Sequence, residues 1–125
     1  MAIDQDGCVT AAVAAGMTPA VALFRSLGDE TRLRIVARLA AGEARVVDLT
    51  SDLGLAQSTV SKHLACLRDC GLVTSRPQGR ASLWSLSAAP ELLDLLAAAE
   101  GVLAASGVTV ALRPASGAEP AGAVR

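Results

Sequence analysis

The sequence predicts a mainly α fold with one small β-hairpin, a winged helix-turn-helix. Three observations predict it: a short helix, a glycine-containing turn and a longer helix run from Val46 to Cys70. Two β-prone runs, Leu72–Ser75 and Ala81–Leu86, then flank a Pro/Gly turn bearing Arg76 and Arg80. The composition is 52% hydrophobic but only 2% aromatic, so the core must be built from Leu, Val, Ile and Ala, which suits closely packed helices.

The elements follow in order. Residues 1–17 form a weakly patterned N-terminal segment, polar and then Ala-rich, with room for a short helix. Thr18-Pro19 offers a capping hydroxyl and a proline at the first helical position, and Leu23, Phe24 and Leu27 then supply an apolar stripe as far as Gly28. Asp29 is placed to cap the next helix, in which Leu33, Ile35, Val36 and Leu39 recur at helical spacing among Arg32, Arg34 and Arg38 until Gly42. Val46–Leu53 and Gln57–Cys70 make the helix-turn-helix around Gly54-Leu55-Ala56, the hairpin follows as the wing, and Ala89 to about Ser106 returns to helix. The expected organisation is an N-terminal segment 1–17, a DNA-binding and dimerisation domain 18–106, and a disordered tail 107–125 rich in Gly, Pro and Ala.

The length of 125 residues suits one domain. The stretch Leu92–Leu112 is the most apolar, yet Asp94, Glu100, Gly101 and Gly107 interrupt it, so it reads as a buried amphipathic helix and not a membrane span. No basic start followed by an apolar h-region is present, which points to the cytoplasm. Three cysteines without an export signal read as reduced thiols. One His, no Tyr and no nucleophile–base–acid set argue against an enzyme, and no organic cofactor is implied. Net charge is −1, but between Leu55 and Ser85 Lys62, Arg68, Arg76 and Arg80 face Asp69 alone, so positive charge collects where a duplex would be met.

At about 100° per residue the second helix of the motif has three stripes. Val60, Leu64 and Leu67 point to the core. Ser58, Ser61, Lys62, Ala65, Arg68 and Asp69 lie opposite, a small, polar and cationic face that suits a major groove. With Gln57 and Thr59 at the start of the helix, and Arg76 and Arg80 on the wing for phosphate or minor-groove contact, these are the candidate DNA-binding residues. The third stripe holds His63, Cys66 and Cys70. Cys66 and Cys70 are one turn apart, with Cβ atoms about 6 Å from each other, a spacing two thiolates on one ion can meet. It equally suits two small buried hydrophobes, and the residues alone leave both open. Cys8 is the only remaining cysteine to complete a site, and His63 is either a further donor or a hydrogen-bonded structural residue.

The run Leu27-Gly28-Asp29-Glu30-Thr31-Arg32-Leu33-Arg34-Ile35, with Gln57-Ser58-Thr59-Val60-Ser61-Lys62-His63-Leu64 and Leu67-Arg68, resembles the ArsR/SmtB family of metal-responsive repressors over residues 18–105. That resemblance implies a homodimeric winged helix-turn-helix protein that leaves its operator when a metal or metalloid binds. His63-Leu64-Ala65-Cys66-Leu67-Arg68-Asp69-Cys70-Gly71-Leu72-Val73 looks like the CmtR branch of that family, which implies cadmium or lead sensing through paired cysteines on the recognition helix and a structural His63. Three departures matter. Glu43–Leu49 lacks the cysteine pair that arsenic and cadmium sensors often carry, and the tail lacks the third cysteine of the CmtR branch, so Cys8 would substitute, as N-terminal cysteines do in CadC-like sensors. Ala56 stands where the recognition-helix cap usually has a hydroxyl.

The expected mechanism is a homodimer on double-stranded operator DNA, its two recognition helices in successive major grooves about 34–36 Å apart. It is released when a thiophilic ion binds Cys66, Cys70 and Cys8. An all-sulfur site favours Cd2+ or Pb2+, admits As(III), and ranks Zn2+ lower. The alternative is a thiol-redox regulator that uses the same cysteines.

Overall fold

A computed structural model describes residues 16–114. Within them the order is α1 (Thr18–Leu27), α2 (Glu30–Ala40), α3 (Val46–Leu53), α4 (Gln57–Asp69), β1 (Val73–Gln78), β2 (Ala81–Leu86) and α5 (Ala89–Ala105), a winged helix-turn-helix as expected. Thr18 does not cap α1: Met17 holds that position without a side-chain bond, Thr18 is the first helical residue and Pro19 follows it in the first turn. Asp29 caps α2 as expected, its Oδ1 accepting from the Arg32 N–H at 3.0 Å. Asp48 serves α3, its carboxylate accepting from the Arg45 backbone N–H at 3.0 Å. Gly54 ends α3 at φ 68°, a left-handed conformation in which a side chain would be strained, and so turns the chain into α4.

The core sits between α2, α3, α4 and the wing. Ile35, Val36, Leu49, Val60, Leu64 and Leu67 are fully buried, joined by Leu39, Val73, Trp84, Leu92 and Leu96. The strands pair antiparallel from Val73↔Leu86 to Gln78↔Ala81, so the turn is only Gly79-Arg80. Arg76 and Pro77, read from sequence as turn, are strand residues. A two-stranded ribbon is edge on both sides, so it tolerates a proline that cannot donate to a ladder. The wing is tied back to the body by Ala44, whose N–H and C=O exchange bonds of 3.0 and 2.8 Å with Trp84.

Two expectations fail at the periphery. Phe24 is 60% exposed, and Ala22 and Ser26 are buried in its place beside Leu27, because the face of α1 that meets the body runs through 22, 23, 26 and 27. The apolar stretch 92–112 is not one buried helix: α5 stops at Ala105, buries only Leu92 and Leu96, and exposes Val102. Beyond it the chain folds back. Glu100 accepts from the backbone N–H of Leu112 at 2.7 Å and Arg113 at 3.1 Å, and from the Arg113 guanidinium at 2.6 and 3.0 Å. These bonds pull its carboxyl down to about 2. No helix among the described residues is long and apolar enough to cross a membrane.

Candidate nucleic-acid interface and thiol pair

Helix α4 carries the candidate site, and the core fixes its rotation. Val60, Leu64 and Leu67 are each 0% exposed, so the opposite side must face outward. Gln57, Ser58, Ser61 and Lys62 are exposed there and Thr59 is half-buried. Ala56 precedes the helix without a side-chain cap bond, so the first N–H groups of α4 lack the hydroxyl that usually serves them. Those N–H groups and Lys62 together make the start of α4 an anion-seeking end.

The arginines behave differently from one another. Arg68 is exposed, but its guanidinium sits over the Trp84 ring, 5.7 Å from the centroid, and so braces the recognition helix against the wing. Arg76 Nη2 lies 3.1 Å from Glu43 Oε1, whereas Arg80 at the tip has no salt bridge among the described residues. Arg34 donates to the Leu53 carbonyl at 3.0 Å, and Arg38 pairs with Asp52 at 2.7 Å, so the cations of α2 fasten α3 and are not spread for a ligand.

The sulfur stripe divides. Cys66 is 3% exposed and disulfide-bonded, and Cys70 is not its partner, being free and half-buried. Cys66 therefore departs from the expected reduced thiol; only a reduced thiolate ligates a metal, so the two states exclude each other at this sulfur. Cys70 Sγ lies 3.0 Å from the buried Ser26 Oγ. His63 Nδ1 accepts from Arg32 Nε at 3.1 Å, which commits that nitrogen to the buried Arg32 of α2 and gives His63 a structural partner. Cys8, the expected third ligand, lies outside the described residues, and among those described no group of three His, Cys, Asp or Glu is placed to hold a metal ion. Only with Cys66 reduced would it and Cys70, one turn apart, offer two soft sulfur donors of a set that a third donor must complete.

Sequence reading missed Ser26, Arg32, Glu43 and Trp84 as partners of the site. Trp84 had a signal, as the lone tryptophan on the inner face of an alternating strand. For Ser26 no signal exists, because a serine beside Arg25 near a helix end reads as exposed and only the fold shows that it shares a face with Ala22, Leu23 and Leu27.

A helix fixed by a buried stripe, exposing small polar residues, and flanked by a basic hairpin defines a winged helix-turn-helix of the kind found in regulators. The comparisons specify it further: residues 29–75 match the model of the bacterial regulatory protein arsR family. The transcriptional regulator CmtR of Mycobacterium tuberculosis (strain ATCC 25618 / H37Rv) is 45% identical over 65 residues, 52% of this chain and 55% of that protein. The arsenical resistance operon repressor of Escherichia coli (strain K12) is 48% identical over 61 residues, 48% of this chain and 52% of that one. The structure of HlyU from Vibrio cholerae N16961 is similar with a TM-score of 0.58 at 38% identity, covering 62% of this chain and 87% of that chain. The chain belongs to the ArsR family of bacterial regulatory proteins. It spans about half the length of the curated relatives CmtR and the arsenical repressor. The family is one of regulators, in agreement with the reading that the chain is not an enzyme.

Proposed function

We propose that the chain is a transcriptional repressor that binds operator DNA as a homodimer and lets go when a thiophilic ion, Cd2+ or Pb2+ before As(III) and Zn2+, is held by Cys66, Cys70 and Cys8. The observation that carries the reading is the division of α4: one side buried, one side small and cationic, and sulfur on the flank between them. Lys62, Arg76 and Arg80 supply phosphate contacts, with Arg68 behind them over Trp84, and Gln57, Ser58, Thr59 and Ser61 meet base edges or the backbone. The homodimer is supported by an uncovered apolar stripe on α1, Met17, Val21 and Phe24, spaced as one helical face, and by exposed Val102 on α5. When bound, the ion cross-links sulfurs on the recognition helix. Release then requires that the free dimer bind the ion more tightly than the DNA-bound dimer does, and a coupling of about 1–3 kcal/mol corresponds to roughly 5–150-fold.

The test is Cys66→Ser. This variant should keep its affinity for a duplex recovered by in vitro selection and lose the sulfur-to-metal charge-transfer band and the Cd2+-induced release. Undiminished release would defeat the ligand assignment.

The disulfide at Cys66 favours one second reading, a thiol-redox regulator. A solved structure similar to this chain at 38% identity is described as reduced HlyU. Peroxide-induced release without metal, abolished in Cys66→Ser, together with no response of reduced protein to Cd2+, would select it.

A further inference from the structure

Trp84 stands where three parts of the DNA-binding unit meet. Its backbone is bonded to Ala44 just before α3, with its N–H donating at 2.8 Å and its C=O accepting at 3.0 Å. The strand register sets it opposite Ser75, next to Arg76, with Arg80 in the turn beyond. The residue is 8% exposed, and the Arg68 guanidinium lies 5.7 Å from its ring centroid. Strand β2 packs chiefly on β1, α2 and α3, so Arg68 adds a link to it from the last turn of α4. The indole is a costly ring for this place: Nε1 is buried with no hydrogen-bond partner among the described residues, a penalty that a phenyl ring would avoid. What an indole provides and a phenyl does not is the strongest π face for a cation.

We propose that Arg68 is a positioning residue, seated on Trp84 instead of on a phosphate, which fixes the angle between α4 and the wing and so sets how sharply the protein tells its operator from other DNA. The inference rests on the DNA-binding half of the reading above and is independent of any ion. Phosphate contacts fix the register and orientation of a protein on a duplex, whereas contacts to base edges carry the sequence information. Arg76 and Arg80 belong to the wing, and Gln57, Ser58 and Ser61 belong to α4. The wing therefore decides where the protein sits, and the angle between wing and helix decides whether the α4 side chains then meet base edges at hydrogen-bonding distance. The flat guanidinium of Arg68 on the indole holds that angle from the C-terminal end of the helix. Without it the phosphate attraction persists, because Lys62, Arg76 and Arg80 are untouched, and the base contacts loosen.

The experiment uses the full chain and two duplexes, one recovered by in vitro selection and one of scrambled sequence, with affinity read by fluorescence anisotropy from low to high salt. Arg68→Gln changes an exposed side chain and should unfold close to wild type. It should lose discrimination between the two duplexes by about five-fold or more, the effect of losing one base contact, almost all of it through weaker binding to the selected duplex. On the scrambled duplex the slope of log affinity against log salt should stay as in wild type, whereas loss of a phosphate ligand lowers that slope by about 0.9 per contact. Trp84 is the single tryptophan of the chain, so its emission should shift in free Arg68→Gln. Trp84→Leu removes the π face, and in that background Arg68→Gln should cost no further discrimination; where Trp84→Leu does not fold, Arg68→Gln alone decides. Equal costs in both backgrounds, unchanged discrimination in Arg68→Gln, or a shallower slope with equal losses on both duplexes overturns the inference and leaves DNA binding standing. A wild-type chain from which selection recovers no preferred duplex overturns both.

Discussion

Glu43→Gln asks how the wing is poised before it meets DNA. Arg76 Nη2 is 3.1 Å from Glu43 Oε1, with the side chains 59% and 43% exposed, so solvent screens the pair. Exposed pairs of this kind are worth roughly 0.2–1 kcal/mol. Arg76 forfeits that amount when it turns to a phosphate, and the amide substitution removes the cost, so affinity for a duplex should rise by roughly 1.4–5-fold at low salt. Part of any gain would come from the lost repulsion between the carboxylate and the phosphates, whichever residue Glu43 touches. An Arg76→Ala background isolates the pair, because only the direct competition disappears there. Fluorescence anisotropy at several salt concentrations is the assay, and the gain should shrink as salt rises. Arg80, which has no competing carboxylate among the described residues, serves as the control: Arg80→Ala should be indifferent to Glu43→Gln. The same gain in the Arg76→Ala background as in wild type would refute the competition, and a loss of affinity would refute the placement of Arg76 on the DNA side.

Two further outcomes follow from the structure. Ala56→Ser should stabilise the fold by about 1 kcal/mol in thermal or urea unfolding, by supplying the hydroxyl that the α4 N-terminus lacks. The Glu100 carboxyl titrates at about 2 in the folded chain against an ordinary 4.5, so its stabilising contribution is complete above pH 4.5 and is lost as pH falls through about 2. Glu100→Gln should therefore flatten the acid limb of the melting profile and speed hydrogen exchange at the Leu112 and Arg113 amides.

The helices were legible because their signals are local. Val60, Leu64 and Leu67 announce the buried side of α4 by spacing alone, and Asp29 and Gly54 mark a start and a stop that need only their own neighbours. The two exposed arginines show where that legibility ends: the sequence puts Arg68 and Arg76 on the DNA side, but only the fold brings Trp84 and Glu43 to them. The extra length of β1 was hidden because Arg76-Pro77 reads as a turn, and only the pairing of Pro77 with Ser82 reveals that a ribbon with two free edges accepts it. Phe24 misled because size suggests burial. Its face of α1 has no covering element among the described residues, and the small Ser26 takes the interior place where it meets a sulfur.

The geometry of α4 also limits how an event at its sulfurs can reach DNA. The fully buried stripe prevents the helix from turning about its own axis, since rotation would drag Leu64 and Leu67 out of a close-packed core. What remains is a tilt or slide of the whole rod. Thirteen residues at about 1.5 Å each make α4 roughly 20 Å long, so a tilt of about 3° at the Cys70 end displaces Gln57 by roughly 1 Å. Hydrogen bonds to base edges operate over about 2.7–3.2 Å and do not survive such a displacement. Flexible Lys62 and Arg80 side chains can follow a phosphate through the same shift. On the proposed reading, an ion held at the C-terminal end of α4 therefore need not expel the protein from DNA altogether. It is enough to take away the base contacts at the other end, which leaves the salt-dependent attraction that every sequence offers equally.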